Sequence, residues 1–195
     1  MLFRSSELRL AEQAEQLAGQ SAELGRLTLA DDLTGLNNRR GLAAFGEQAL
    51  YRARRDGTMV ALLFLDLDGL KRINDTFGHG AGDDALRALA GIIGTTTRES
   101  DIAARIGGDE FCILLFDDAG AAVDHVAKRI REAASAARET YSLPTVLSIS
   151  IGMLRVDART PGSIDELLAE ADKSMYAEKL GKLNTGDSSH VAAAS

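Results

Sequence analysis

Cysteine, positive charge and long apolar runs are what this sequence has least of. The single Cys112 excludes an internal disulfide and suits a reducing compartment. It sits in the middle of the apolar run Glu110–Phe116 (EFCILLF), where a thiol is expected to be a core side chain. Lys and Arg number 22 against 29 Asp and Glu, a formal net charge of -7. That balance excludes a broad basic face, and with it binding of a nucleic acid polymer. An acidic protein that takes a nucleoside triphosphate has to neutralise the phosphates locally, and metal ions do so. No apolar run approaches the length of a membrane span. Met1–Ser6 leads into charged residues instead of a secretory core, so a cytoplasmic setting is expected. Repeats and low-complexity segments are lacking as well. What is present is 195 residues, 45% of them hydrophobic, with a mean hydropathy of -0.06. This is enough for one globular domain with a sizeable core. The chain begins inside a helix-like pattern, which leads us to expect a longer parent with a sensor domain upstream.

The pattern along the chain mixes two periods. Ser5–Thr28 is free of proline and amphipathic in pattern; Phe3, Leu10, Leu17 and Leu24 recur at seven-residue spacing, with Ala14, Ser21 and Thr28 at the companion position. That is the seam of a short coiled coil. Asp31 and Asp32 give a helix-start or turn signal, and Arg39–Arg55 is helical in pattern. Met59–Leu65 (MVALLFL) is a short apolar strand. A helix is expected over Asp83–Thr97, with Asp83 able to cap it, and another over Ala121–Arg138. Thr145–Met153 (TVLSISIGM) reads as a buried strand, and Ser163–Leu180 as a last helix. Ser163 and Glu166 there have the spacing of a capping box. Thr185–Ser195 is expected to be a loose tail. Strands and helices of unequal spacing around a central hairpin argue an α+β or mixed α/β domain.

The chemistry concentrates in two places. In Arg105-Ile106-Gly107-Gly108-Asp109-Glu110-Phe111 a Gly-Gly pair and two acids separate the runs Ile102–Ile106 and Glu110–Phe116. Gly-Gly between strand-like runs signals a hairpin, because glycine accepts the positive φ of tight turns. The turn has little side-chain bulk, so a large ligand can lie across its backbone, and the acids beside it suit a hard cation such as Mg²⁺. The second place follows Met59–Leu65. Asp66 and Asp68 are two apart, so in a strand they share a face. Lys71, Asn74 and Asp83 follow in a stretch rich in glycine and hydrogen-bonding groups. Phosphoryl transfer needs carboxylates for metals, cations for phosphate and polar groups that read a base.

Taken together, RIGGDEF, LDLDGLKRINDTFGHGAGDDAL and DDLTGLNNRR (Asp31–Arg40) resemble the GGDEF-domain diguanylate cyclases, from about Asp31 to about Asn184. The resemblance implies a five-stranded, mainly antiparallel sheet wrapped by helices, similar to nucleotide cyclase and polymerase palm folds. It divides the chain into an N-terminal signalling helix (1–29), the cyclase domain (30–184) and a tail (185–195). The implied reaction joins two GTP into cyclic di-GMP and two pyrophosphates, each 3′-hydroxyl attacking the other's α-phosphate across a homodimer. Two Mg²⁺ (or Mn²⁺) per half-site are implied, on Asp66, Asp109, Glu110 and the Leu67 carbonyl, with Glu110 also assisting deprotonation. Lys71 is expected to stabilise phosphate charge, and the Leu70 backbone to contact phosphate in place of the family's phenylalanine. Gly107 and Gly108 are expected to admit the nucleotide, and Asn74 and Asp83 to read guanine. Lys179 matches the family's phosphate-binding lysine. The usual arginine position carries Leu183, with Lys182 beside it. Asp68 is expected to brace the loop, His79 to be structural, and DDLTGLNNRR to be a structural turn. Arg98-Glu99-Ser100-Asp101 matches the family's R-x-x-D site for inhibitory cyclic di-GMP, with Arg129 completing it. The alternative function is a catalytically silent GGDEF module that serves as a cyclic di-GMP receptor.

Overall fold

In the computed structural model, residues 28–116, 122–157 and 162–184 are described. The heptad seam of residues 3–24 and the tail from residue 185 lie outside them. The elements run α1 (Arg39–Asp56), β1 (Met59–Leu67), α2 (Leu70–Phe77), α3 (His79–Thr96), β2 (Ile102–Arg105), β3 (Glu110–Phe116), α4 (Ala122–Thr140), β4 (Ile149–Asp157) and α5 (Ile164–Asn184). The sheet order is β2-β3-β1-β4, and every pair is antiparallel. The mixed α+β class is therefore as expected. Among the described residues the sheet has four strands, not five.

Strand β1 lies in the middle of the sheet and is apolar because helices cover both its faces. Val60, Leu62 and Phe64 meet α1 and α5 through Leu42, Leu50, Ile164, Leu168 and Met175. Ala61, Leu63, Leu65 and Leu67 meet α3 and α4 through Leu86, Leu89, Ile93, Ala127 and Ile130. Each leucine buried this way contributes roughly 1.5–3 kcal/mol. The two-residue period then assigns the polar end of the strand. Asp66 continues the face of Val60, Leu62 and Phe64, under α5.

Two element assignments differ from the sequence pattern. Strand β4 spans Ile149–Asp157, four residues later than Thr145–Met153 at each end. Its nine residues pair one for one with β1, from Met59↔Asp157 to Leu67↔Ile149. Leu147 is instead a core side chain just ahead of the ladder. Helix α2 has no counterpart in the sequence reading: it is only eight residues long, and its apolar Leu70, Ile73 and Phe77 are spread among polar residues over two turns, too short a stretch for a period to stand out. Gly78, at φ 87, closes α2 and opens α3 directly. That left-handed corner starts α3 at His79, so Asp83 sits inside the helix and is not its N-cap.

Both edges of the sheet are covered. Beside β2, Asn37 donates its amide and side-chain N–H to the Ala103 carbonyl (3.3 and 2.9 Å), and its own carbonyl accepts from the Arg105 amide (2.8 Å). Beside β4, Glu178 of α5 accepts from the Ile151 amide (3.3 Å) and pairs with Arg131 of α4 (2.7 Å). Covered edges leave little template for unwanted strand pairing.

Candidate active site

Strand register builds the site. Asp66 stands opposite Glu110 on one side and Ser150 on the other. All three lie at the same end of the sheet. Asp66 is buried, 6% exposed, and its Oδ1 accepts a hydrogen bond from Lys179 Nζ of α5 at 2.6 Å. Burial raises the pKa of Asp66; Lys179 opposes this, and the charges of Asp109 and Asp68 add to the rise. Burial works against the charge on Lys179, but Asp66, Asp68 and Asp109 outweigh it and hold its pKa above the ordinary lysine value. Glu110 is also raised, by burial first and then by Asp109, Asp172 and Asp66, with Arg39 a partial offset. The field at this end of the sheet is thus negative and short of cations.

Asp68 belongs to the frame. Its oxygens accept from Ser148 Oγ (2.7 Å) and Ser150 Oγ (2.8 Å), and its amide donates to the Ser148 carbonyl (2.9 Å). These bonds tie the end of β1 to the start of β4. The sequence pattern shows Ser148 and Ser150 only as strand residues; their two-residue spacing is the one signal that they share a face.

The β2–β3 hairpin forms as expected, with Ile106–Asp109 between the strands. Its glycines serve a different purpose from the one the turn signal suggests. Neither Gly107 nor Gly108 has positive φ. A Cβ on Gly107 would collide with the Glu110 carboxylate, whereas one on Gly108 would meet open space. Gly107 is therefore crowded by a neighbouring acid, and no contact within the fold requires Gly108. The Leu67 amide donates to the Asp109 carbonyl (2.9 Å), which pins the hairpin against β1.

Arg105 holds the turn from outside. Its Nη2 and Nε donate to the Gly108 carbonyl at 2.8 and 3.3 Å, and its Nη1 pairs with Asp31 at 3.2 Å. The same Asp31 carboxylate accepts from the Thr34 amide (2.9 Å) and hydroxyl (2.6 Å). Burial pulls the Asp31 pKa up, but Thr34 and Arg105 outweigh it and leave it below the ordinary value. DDLTGLNNRR is thus a turn, as read, and its Asn38 caps α1. Its connection to the hairpin through Arg105 escaped the sequence reading, although Arg105 is visible in the motif.

The other expected residues fall into three groups. Lys71 is exposed on α2, Leu70 packs toward the α3–α4 core, and Asn74 is half-buried. A Cβ on Gly82 of α3 would strike the Asn74 side chain, so the helices meet there, immediately before Asp83. Arg98 and Asp101 form a closed turn after α3, the Asp101 carboxylate accepting from the Arg98 amide at 2.8 Å. Arg129 is exposed on α4. Lys182 and Leu183 continue the α5 backbone, and their side chains lie outside the described residues.

The acids suit Mg²⁺ or Mn²⁺ by donor type and by their uncompensated charge, since both are hard cations that prefer carboxylate oxygen. Among the described residues no three acidic, His or Cys side chains converge as a ligand set. No described helix is long and apolar enough to cross a membrane.

Residues 28–185 match the family model described as "Diguanylate cyclase, GGDEF domain". The chain is 38% identical over 177 residues to the bifunctional diguanylate cyclase/cyclic di-GMP phosphodiesterase MucR of Pseudomonas aeruginosa, covering 89% of this chain and 25% of that protein. It is 35% identical over 163 residues to the response regulator PleD of Caulobacter vibrioides, covering 81% of this chain and 35% of that protein. Among solved structures it resembles the coiled coil and GGDEF domain of DgcB from Caulobacter crescentus in complex with c-di-GMP. That match has a TM-score of 0.72 at 30% identity and covers 91% of this chain and 95% of that one. The chain thus spans a quarter to about a third of the curated relatives' length.

Proposed function

The chain belongs to the family of GGDEF diguanylate cyclase domains, and from that premise we propose that it condenses two GTP into cyclic di-GMP and two pyrophosphates. The observation that carries this reading is the strand register. It puts Asp66 opposite Glu110 at the rim of a hairpin whose Gly108 leaves room for a ligand. Asp66, Asp109 and Glu110, with the Leu67 carbonyl, would hold two Mg²⁺ or Mn²⁺, which neutralise α-phosphate charge and acidify the attacking 3′-hydroxyl.

The remaining roles are carried by the chain's own groups. Lys71, with the Leu70 amide, stabilises charge on the phosphates. Lys179 binds the triphosphate tail, with Lys182 in support. Asn74 and Asp83 read guanine, the carboxylate accepting from N1–H and the 2-amino group, which adenine lacks. Gly82 places Asn74 for that task. Burial and the neighbouring acids raise the pKa of Glu110, which suits its carboxylate to accepting a proton.

Each domain holds one GTP, so the reaction requires a homodimer of facing half-sites. Residues 1–29 would supply the coiled coil that brings them together, and 30–184 the catalytic unit. The product returns to Arg98 and Asp101, with Arg129, as an inhibitor outside the GTP pocket. The setting proposed for this domain is the cytoplasm.

Incubation with GTP and Mg²⁺, with mass spectrometry of the products, tests the reading. Cyclic di-GMP is expected. Binding of cyclic di-GMP without synthesis would make the chain a receptor instead.

A further inference from the structure

The contact between Lys179 and Asp66 joins the proposed phosphate ligand to a proposed metal ligand. Nζ lies 2.6 Å from Oδ1, with the Asp66 side chain only 8% exposed and that of Lys179 35% exposed. The contact is built into the packing of α5. Glu178, the preceding residue, is fixed to the Ile151 amide and to Arg131. Gly152 of β4 lies so close to α5 that a Cβ there would collide with the Ala171 carbonyl and the Met175 amide. The helix is therefore seated tightly one turn before Lys179, and the ammonium is delivered to a carboxylate on the central strand.

A buried carboxylate without a counter-ion is costly, so the lysine balances Asp66 in the nucleotide-free fold. The same contact has a consequence for metal loading. An ammonium and a divalent cation repel each other at contact distance and compete for one oxygen. We propose that Lys179 is a tethered counter-cation that occupies Asp66 in the nucleotide-free protein and suppresses metal binding there. A triphosphate offers Lys179 a second partner of the same sign as Asp66. Moving the ammonium to phosphate frees the carboxylate, so nucleotide and metal load together and the metal alone binds poorly. Asp66 and Lys179 change partners and no covalent bond is altered. This inference rests on the reading of Asp66 as a metal ligand and of Lys179 as a phosphate ligand.

The test is Mn²⁺ titration of the nucleotide-free protein by electron paramagnetic resonance, without any turnover. Lys179→Met is expected to bind Mn²⁺ about tenfold more tightly than wild type, within the ordinary range of coupling between linked sites. Adding Asp66→Asn to Lys179→Met is expected to abolish the gain. Lys173→Met removes the same charge from an exposed position on the same helix and is expected to leave Mn²⁺ affinity within about twofold. Unchanged or weaker Mn²⁺ binding in a folded Lys179→Met protein overturns the proposal. So does an equal gain in Lys173→Met, which would reduce the effect to general charge. If Lys179→Met does not fold, Lys179→Arg serves, because its fork still holds the carboxylate. Its Mn²⁺ affinity should not exceed that of wild type, and tighter binding overturns the proposal. Cyclic di-GMP synthesis by wild type is measured in parallel. Synthesis with unaltered Mn²⁺ binding in Lys179→Met sinks this inference and leaves the proposed function standing. Absence of synthesis sinks the proposed function by itself.

Discussion

Gly107 and Gly108 are neighbours with separable duties, and alanine at each makes the difference measurable. At Gly107 the new methyl would displace the Glu110 carboxylate, a flexible group that yields. At Gly108 it would enter open space and meet only an incoming nucleotide. Gly108→Ala is thus expected to leave the thermal midpoint within a degree or two, since exposed substitutions are usually worth less than about 0.5 kcal/mol. It should raise the KM for GTP several-fold. Unaltered GTP kinetics in that variant would remove the hairpin surface from the nucleotide site. Asp109→Ala is expected to lower cyclic di-GMP synthesis roughly a hundredfold or more in a folded protein, because metal ligation supplies several kcal/mol of transition-state stabilisation. Turnover near wild type would reject Asp109 as a ligand. Glu110 gives a pH test. Its folded pKa is raised above the ordinary 4.5, so the folded state favours its protonated form. Ionisation therefore costs stability, a cost absent well below pH 4.5 and complete above the raised value. Glu110→Gln should raise the thermal midpoint at pH 7, and the gain should shrink as the pH falls toward 4.5. A gain that grows in acid contradicts the sign.

Elements carry the site through two joints, one visible in the sequence and one not. The visible joint is the DDLTGLNNRR turn, whose Asp31 and Thr34 form a side-chain-closed turn and whose Asn38 caps α1. The hidden one is Arg105, which binds that turn to the Gly108 carbonyl across 74 residues of sequence. Asp31→Asn is expected to cost about 1 kcal/mol at neutral pH, a charged hydrogen bond partly discounted for solvent. Because the Asp31 pKa is lowered from 3.8, its contribution is full above that pH and fades as the pH falls through the lowered value. Denaturant midpoints of wild type and variant should therefore converge in acid below pH 3.8. Arg105→Ala should also speed amide exchange at Ile106 and Gly107, whose N–H groups donate to the Glu110 carbonyl at the hairpin mouth. Unchanged exchange there would show that the hairpin holds its shape without the clamp. Helix α2 illustrates the limit of periodicity at this scale. Its eight residues make only two turns, and Leu70, Ile73 and Phe77 are too few to read as a period, so its polar density was legible and its helicity was not.

At the scale of the whole molecule, one domain presents one half of the proposed reaction, and association should govern its rate. Specific activity is expected to rise with protein concentration until dimers saturate. Leu17→Asp would place a charge in the heptad seam and should lower activity at low concentration and less at high concentration. Concentration-independent turnover by a demonstrated monomer would reject facing half-sites. If the rise is seen and Leu17→Asp behaves as wild type, the seam is excluded as its cause. The charge of -7 bears on the same point, since two acidic domains repel until local cations offset the negative ends of their sheets.

Local chemistry in the sequence was sufficient for the family, the mixed fold class, the hairpin, β1 and most of the helices. Each depends on a contiguous pattern: a run buried on both faces, a Gly-Gly pair between strands, a capping box, three motifs in order. It also placed Asp66 and Asp68 on one face, because a strand's period is two. The partners of those acids were beyond it. Asp66 meets Lys179 from 113 residues away, and Asp68 meets Ser148 and Ser150 from about 80. Such pairs depend on β4 sliding four residues along from its apparent position and on the seating of α5 over Gly152. Apolar patterning selects which face is buried. The choice among registers and helix seats is made by the packing of all layers at once, and that choice belongs to the tertiary structure.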